Sequence, residues 1–299
     1  RDMARTLSSA ESPDESGAES RRESLGDQVR SAVIWRSGSQ IAAQLVAWVS
    51  TFLVIRILSP ADYGLFAMAQ VMLSFLNMLN GYGLASAIIQ KPEVSDRQVR
   101  QLFGMLIVLN VGIGLFQFAT APLVAAYFRQ PIVADLLRWL ALPYLFTPFM
   151  ALPFALLGRQ MDFKKQAQAN MLSAVAGAVA ALAGAMAGMG VWTLVLAPTV
   201  LFGTRALALT IFAKSWMWPS FNFRGAGDIS KFGAVMAVSQ LFWFTQSQAD
   251  VFIAGRYLSA HDLGIYTTAL FLAQIFVAKF VPALNEVAFS AYARIQHDR

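Results

Sequence analysis

The chain has 299 residues, 57% hydrophobic and 13% charged, with a mean hydropathy of +0.54; a soluble domain would carry about 25% charge, so the composition is that of a membrane protein. The net charge of +6 lies beyond residue 31, because residues 1–31 hold five Arg against seven acids and leave 18 Lys and Arg against 10 acids in the rest. A basic surplus in so apolar a chain points to anionic lipid or an anionic cargo, and with no basic, aromatic-studded soluble domain no nucleic-acid partner is expected.

Residues 1–30 are rich in Ser, Glu, Asp and Arg with almost nothing apolar, so they are expected to form a disordered cytosolic tail. Stretches long enough to cross a bilayer, about 20 residues each, follow at Ser31–Leu58, Pro60–Ile89, Leu102–Phe128, Asp135–Leu157, Ala167–Met189, Val191–Ala213, Ile229–Tyr257 and Leu263–Tyr292. The pattern predicts an all-α polytopic membrane protein. Pro143, Pro148 and Pro153 kink or interrupt the fourth span, which transmembrane helices tolerate when neighbours satisfy the freed carbonyls. The fifth is so rich in Ala and Gly that close helix packing is its expected role.

Connections after spans two, four and six each carry three basic residues (Lys91, Arg97, Arg100; Arg159, Lys164, Lys165; Lys214, Arg224, Lys231), whereas the other side holds only Arg56, Arg129, Arg138 and Arg256. This asymmetry puts the N-terminus in the cytosol.

One unit is written twice. Ser39–Ala69 aligns with Ser239–Ala269 without a gap at an offset of 200, matching at nine positions that centre on R-x-L-S-x-x-D-x-G: Arg56, Leu58, Ser59, Asp62, Gly64, and Arg256, Leu258, Ser259, Asp262, Gly264. Each copy reads as helix, tight turn, helix. Ser59 with Asp62, and Ser259 with Asp262, spell a capping box, Pro60 suits a first helical position, and the acids face the positive helix end. The motif therefore either simply restarts a helix at the membrane surface or serves transport directly. Six spans separate the copies, so both enter the membrane with the same polarity, related by an axis along its normal. The expected domains are a complete six-helix lobe over 31–213, a cytosolic linker over 214–228 and the first two helices of a second lobe over 229–299. The incomplete second copy, and the lack of Met at position 1, imply a fragment of a longer protein.

Ionisable groups inside spans are costly and need a reason. Arg36, Gln40 and Gln44 recur every fourth residue along one helix face, and Ser239, Trp243, Gln246 and Asp250 form a similar stripe in the seventh span. Arg205 lies about eight residues from the cytosolic end of span six, Lys279 at similar depth in span eight, and Glu286 two turns further on. Arg36, Gln40, Gln44, Arg205 and Lys279 are thus candidates to line a cavity for an anionic cargo. Asp250 is a candidate for a coupling cation or, like Glu286, for an internal ion pair. Arg36, Arg56 and Arg256 can equally snorkel to lipid phosphates. His261 and His297 lack ligand spacing, so no metal site and no cofactor are expected. No nucleophile elbow or phosphate loop is present, and the outer connections are too short for the extracytosolic loop that a polymerase or ligase of lipid-linked glycans would need.

The runs RILSPADYGLFAMAQVMLSFLNMLNGYGLASAIIQK and ADVFIAGRYLSAHDLGIYTTALFLAQ resemble the polysaccharide transport family of bacterial flippases, within the multidrug, oligosaccharidyl-lipid and polysaccharide exporter superfamily. The resemblance covers roughly Ser31–Arg299. It implies a multidrug-exporter-like bundle of two six-helix lobes around a central cavity in the bacterial inner membrane. The implied cargo is a sugar unit on undecaprenyl diphosphate, moved by alternating access, with a Na+ or H+ coupling ion and a polysaccharide polymerase complex as further partners, and no enzymatic step. A multidrug cation antiporter of the same superfamily would instead need an acidic cavity.

Overall fold

Short polar turns set which helices are neighbours in this chain. The computed structural model describes residues 38, 40–77, 95–160, 162–221, 244 and 246–274. It contains α1 (Gln40–Ile57), α2 (Pro60–Asn77), α3 (Asp96–Phe128), α4 (Ile132–Trp139), α5 (Leu142–Arg159), α6 (Phe163–Met186) and α7 (Trp192–Phe212). After a non-helical segment at 215–221 come α8 (246–257) and α9 (260–274). No strand occurs among the described residues, and five stretches are long and apolar enough to cross a membrane; the chain is an all-α, multi-pass membrane protein. Arg36, Lys279 and Glu286 lie outside the described residues, as do the expected tail 1–30 and the stretches 222–243 and 275–299.

The turns at 58–59, 129–131 and 187–191 lie at one end of the bundle, here the turn end. The opposite, basic end carries Arg97, Arg100, Arg159, Lys164, Lys165 and Lys214. Several of these basic residues are helical, not in loops as expected. Ser95 starts α3 with a capping box, its hydroxyl accepting from the Gln98 amide while Gln98 accepts from the Ser95 amide, so the third span begins at Asp96 and not at Leu102. Its 33 residues extend about 50 Å, well past the roughly 30 Å hydrocarbon core, which leaves room for Arg97 and Arg100 beyond it. The fourth span divides at Leu140–Ala141. Ala141 N–H turns back to the Arg138 carbonyl at 3.3 Å, and buried Gln117 donates to the Leu137 carbonyl at 2.6 Å. Inside α5, Pro153 has no N–H for the Phe149 carbonyl, and the Thr210 hydroxyl of α7 takes that carbonyl at 3.2 Å.

In lipid the helices gain little from burying apolar surface against one another, so close approach and satisfied polar groups hold them together. α6 and α7 pack against each other, and α5 lies against α7. At Gly177 a Cβ would come 2.9 Å from the Leu201 Cβ, so the small-residue reading of the fifth span holds there. A second core at the turn end joins Met68 and Ala69 of α2, Val133, Leu136 and Leu137 of α4, and Val251 and Leu263 of α8 and α9.

The last two belong to the second copy of the repeat, which here meets the first. The first capping box is complete, with the Ser59 N–H donating to the Asp62 carboxylate at 3.0 Å, and the Ser59 and Ser259 hydroxyls each donate to the Asp three residues on at 2.6 Å and accept from its backbone N–H at 3.3 and 3.1 Å. The helices they start then meet. A Cβ on Gly64 would overlap the Ala260 carbonyl and sit 3.0 Å from the Gly264 nitrogen; a Cβ on Gly264 would overlap the Pro60 carbonyl and sit 2.9 Å from the Gly64 nitrogen. The two contacts are reciprocal, as a two-fold relation requires. Nearby, Arg256 donates to the Tyr127 carbonyl in the last turn of α3 and lies 5.4 Å from the Tyr127 ring centre, where a cation suits the negative helix end. Tyr127 stacks on Phe252 at 4.6 Å. Arg56, the matching residue of the first copy, is exposed.

Replacing Gly264 with Val overpacks this crossing and is expected to cost about 1–3 kcal/mol, read as a lower thermal midpoint in detergent. Gly112→Val, at a site with nothing within 4 Å, should leave the midpoint near that of the unaltered protein.

Candidate functional site

α6 opens at Asp162, whose carboxylate accepts from the Lys165 N–H at 3.2 Å and pairs with the Lys165 ammonium at 2.7 Å. The hydrogen bond from the Lys165 side chain, helped by that N–H and by the charges of Lys165 and Lys164, holds the Asp162 carboxyl below its ordinary value. From this start α6 carries Gln166, Asn170 and Ser173 along one face, at spacings of four and three.

Opposite them stand Gln40 and Gln44 of α1 and Arg205 of α7, around a cavity of 370 Å³ completed by Phe154 and small residues. Three of the five residues expected to meet the cargo are thus brought together across two helices far apart in sequence, while Arg36 and Lys279 lie outside the described residues. Arg205 sits seven residues before the end of α7, about 10 Å inside it, with its guanidinium 5.8 Å from the Phe154 ring centre. Gln166 is buried and donates to the Phe154 carbonyl of α5 at 2.8 Å. Ser173 donates to the Asn170 carbonyl at 2.9 Å. The Asn170 side-chain oxygen is buried with no hydrogen-bond partner among the described residues. α1 meets α6 beyond the cavity, toward the turn end, where the Ser50 hydroxyl reaches the Ala178 carbonyl at 3.4 Å and Val54 and Leu58 pack near Ala185.

Among the described residues the cavity lining holds one guanidinium, four side-chain amides and a hydroxyl, with no carboxylate. A planar guanidinium offers paired donors to phosphate or carboxylate oxygens, and amides can both donate to and accept from sugar hydroxyls. The lining is the reverse of an acidic cation site.

Gln166, Asn170 and Ser173 were missed in the sequence because the fifth span was read for its Ala and Gly content and was started at Ala167; the helical spacing of these three polar residues was the available signal. Asp250 lies elsewhere, on α8, where the Tyr266 hydroxyl of α9 donates to its Oδ2 at 2.6 Å and both residues are exposed. The turn residues Ser59, Asp62, Gly64 and their counterparts lie at the opposite end of the bundle from the cavity.

The family model described as polysaccharide biosynthesis protein matches residues 53–299. The chain is 31% identical to the succinoglycan biosynthesis transport protein ExoT of Rhizobium meliloti, over 89% of this chain and 54% of that protein. It is 25% identical to the teichuronic acid biosynthesis protein TuaB of Bacillus subtilis, over 92% and 57%, and 23% identical to the lipopolysaccharide biosynthesis protein WzxC of Escherichia coli, over 92% and 56%. The chain therefore spans just over half the length of these relatives. No solved structure matches it.

Asp162→Ala removes the N-cap of the helix that carries three cavity residues and is expected to cost about 1 kcal/mol. Because the native carboxyl titrates below its ordinary value, the stability it adds is fully present above about pH 4 and is lost as pH falls through the lowered native value. Thermal melts of the two proteins should differ at neutral pH and converge in acid.

Proposed function

We propose that this chain, which belongs to the polysaccharide biosynthesis protein family, forms the cargo-holding lobe of an exporter that moves lipid-linked polysaccharide repeat units across the bacterial inner membrane. Residues 31–213 make that lobe, 214–228 link it onward, and 229–299 begin a second lobe. The N-terminus is cytosolic, and the protein translocates its cargo without catalysing a bond change.

The observation that carries this reading is the lining of the α1–α6–α7 cavity. Arg205 supplies the charge for a diphosphate, Gln40, Gln44, Gln166 and Asn170 supply hydrogen bonds for sugar hydroxyls, and a guanidinium in the lining disfavours a cationic drug. The prenyl chain of an undecaprenyl-diphosphate carrier would stay in lipid. The cavity lies in the basic half, which the positive-inside asymmetry assigns to the cytosol, where such units would be loaded. The contact between Gly64 and Gly264 closes the other half, and access to the outer face would require the two copies of the repeat to part there. Asp250, held by Tyr266, is the position for a coupling ion.

In cells lacking the native gene, the full-length protein should clear complete lipid-linked units from the cytosolic leaflet. Arg205→Ala should leave them trapped there, and Arg205→Lys, which keeps the charge but loses the paired donors, should restore only part of the flux. Units that instead reach the outer face unpolymerised would reassign the protein to polymerisation or ligation.

A further inference from the structure

α7 has a second lined face. Gly203, Ala206, Leu207 and Thr210 border a separate chamber of 790 Å³, walled by α3 and α5 and covered by residues 215–219. At about 100° per residue the centre of this face lies roughly 150° around the helix from Arg205.

The cover is pinned in place. Arg100 of α3 donates through Nε to the Trp218 carbonyl, and Ser220 N–H donates to the Arg100 carbonyl, both at 2.9 Å. A Cβ on Gly104 would overlap the Ser220 carbonyl, so α3 is shaped to receive this strand of chain.

The chamber is apolar apart from two hydroxyls. Thr210 has its partner in the Phe149 carbonyl. Ser215 has none: it is 9% exposed, and its hydroxyl is buried with no hydrogen-bond partner among the described residues. Beside it Lys214 is exposed, in a left-handed conformation with φ 50°. Trp216 and Trp218 are 78% and 83% exposed, as indoles are when they sit at the level of lipid headgroups.

We infer that this chamber holds one acyl chain of an anionic glycerophospholipid, with the phosphate facing Lys214 and the headgroup at the level of Trp216 and Trp218. The ligand is a resident lipid and not the cargo: a molecule whose head lay at Arg205 would have to pass its chain across the body of α7 to reach the chamber. The site therefore stands independently of what the polar cavity carries.

The test is native mass spectrometry of the full chain released from vesicles containing phosphatidylglycerol and phosphatidylcholine of identical chains, with undecaprenyl phosphate as a third probe. One lysine at a membrane surface favours an anionic headgroup by about fivefold, so phosphatidylglycerol should be retained over phosphatidylcholine by about that factor. Leu207→Trp, at a position 60% exposed and so tolerant of bulk, should fill the chamber and lower retention of both lipids several-fold. Lys214→Asn, which accepts a positive φ, should bring phosphatidylglycerol down to the level of phosphatidylcholine. Equal retention of the two lipids by the unaltered chain, or unchanged retention in Leu207→Trp, would mean ordinary annular lipid and overturn the inference. Preferential retention of undecaprenyl phosphate would also overturn it, assigning the chamber to the carrier's own chain.

Discussion

Two helix starts meet in this protein with no side chain between them. At Gly64 and Gly264 the backbone of each copy of the repeat lies against a carbonyl of the other, Ala260 in one direction and Pro60 in the other. The contact places two positive helix ends side by side, an arrangement that repels unless it is neutralised. Asp62 and Asp262 supply the negative charge there, each accepting from the serine hydroxyl three residues before it. The motif thus joins three requirements in six residues: a serine to stop one helix and start the next, an acid to offset the dipole, and a glycine to let the second copy approach. Arg256 adds a fourth tie through the Tyr127 carbonyl. Much of what binds the first seven helices to α8 and α9 lies at this end of the bundle.

The opposite end is organised by α7. Arg205 on one face borders a polar cavity, while Gly203, Ala206 and Leu207 on the other border an apolar chamber. A single helix can serve both because its neighbours differ. Toward α6 it meets Gln166 and Asn170; toward α3 and the 215–221 segment it meets Phe103 and Trp216. Carbonyls of α5 serve both sides. Pro153 frees the Phe149 carbonyl, which the Thr210 hydroxyl then satisfies at the chamber, while the neighbouring Phe154 carbonyl takes Gln166 at the cavity. The carbonyl that Pro153 leaves without its helical N–H thus serves as an acceptor for a neighbouring helix.

The candidate cavity was partly legible in the sequence. Gln40 and Gln44 stood out as a polar stripe and Arg205 as a charge at depth, and the cost of burying such groups in lipid made each conspicuous. Gln166 and Asn170 did not stand out, because amides in an Ala- and Gly-rich helix carry no charge and the packing role of that helix is also correct at Gly177. Asp250 also stood out by its depth, and among the described residues it accepts from Tyr266 on the next helix, apart from the polar cavity; Ser239 and Trp243 of its stripe lie outside the described residues.

Hydropathy, helix caps and the internal repeat are local or periodic properties, so the sequence alone determined the all-α membrane class, the S-x-x-D turns and the pairing of Arg56–Gly64 with Arg256–Gly264. Span boundaries were less secure where a cap extended a helix, as Ser95 does for α3, or where a distant amide stabilised a break, as Gln117 does at Leu140. Only the tertiary structure decided why the glycines recur, which carbonyl Arg256 meets, and which two faces of α7 become cavity and chamber. Those outcomes depend on distances between backbones 100 to 200 residues apart, set by which small residues let helices approach, and no local pattern encodes them.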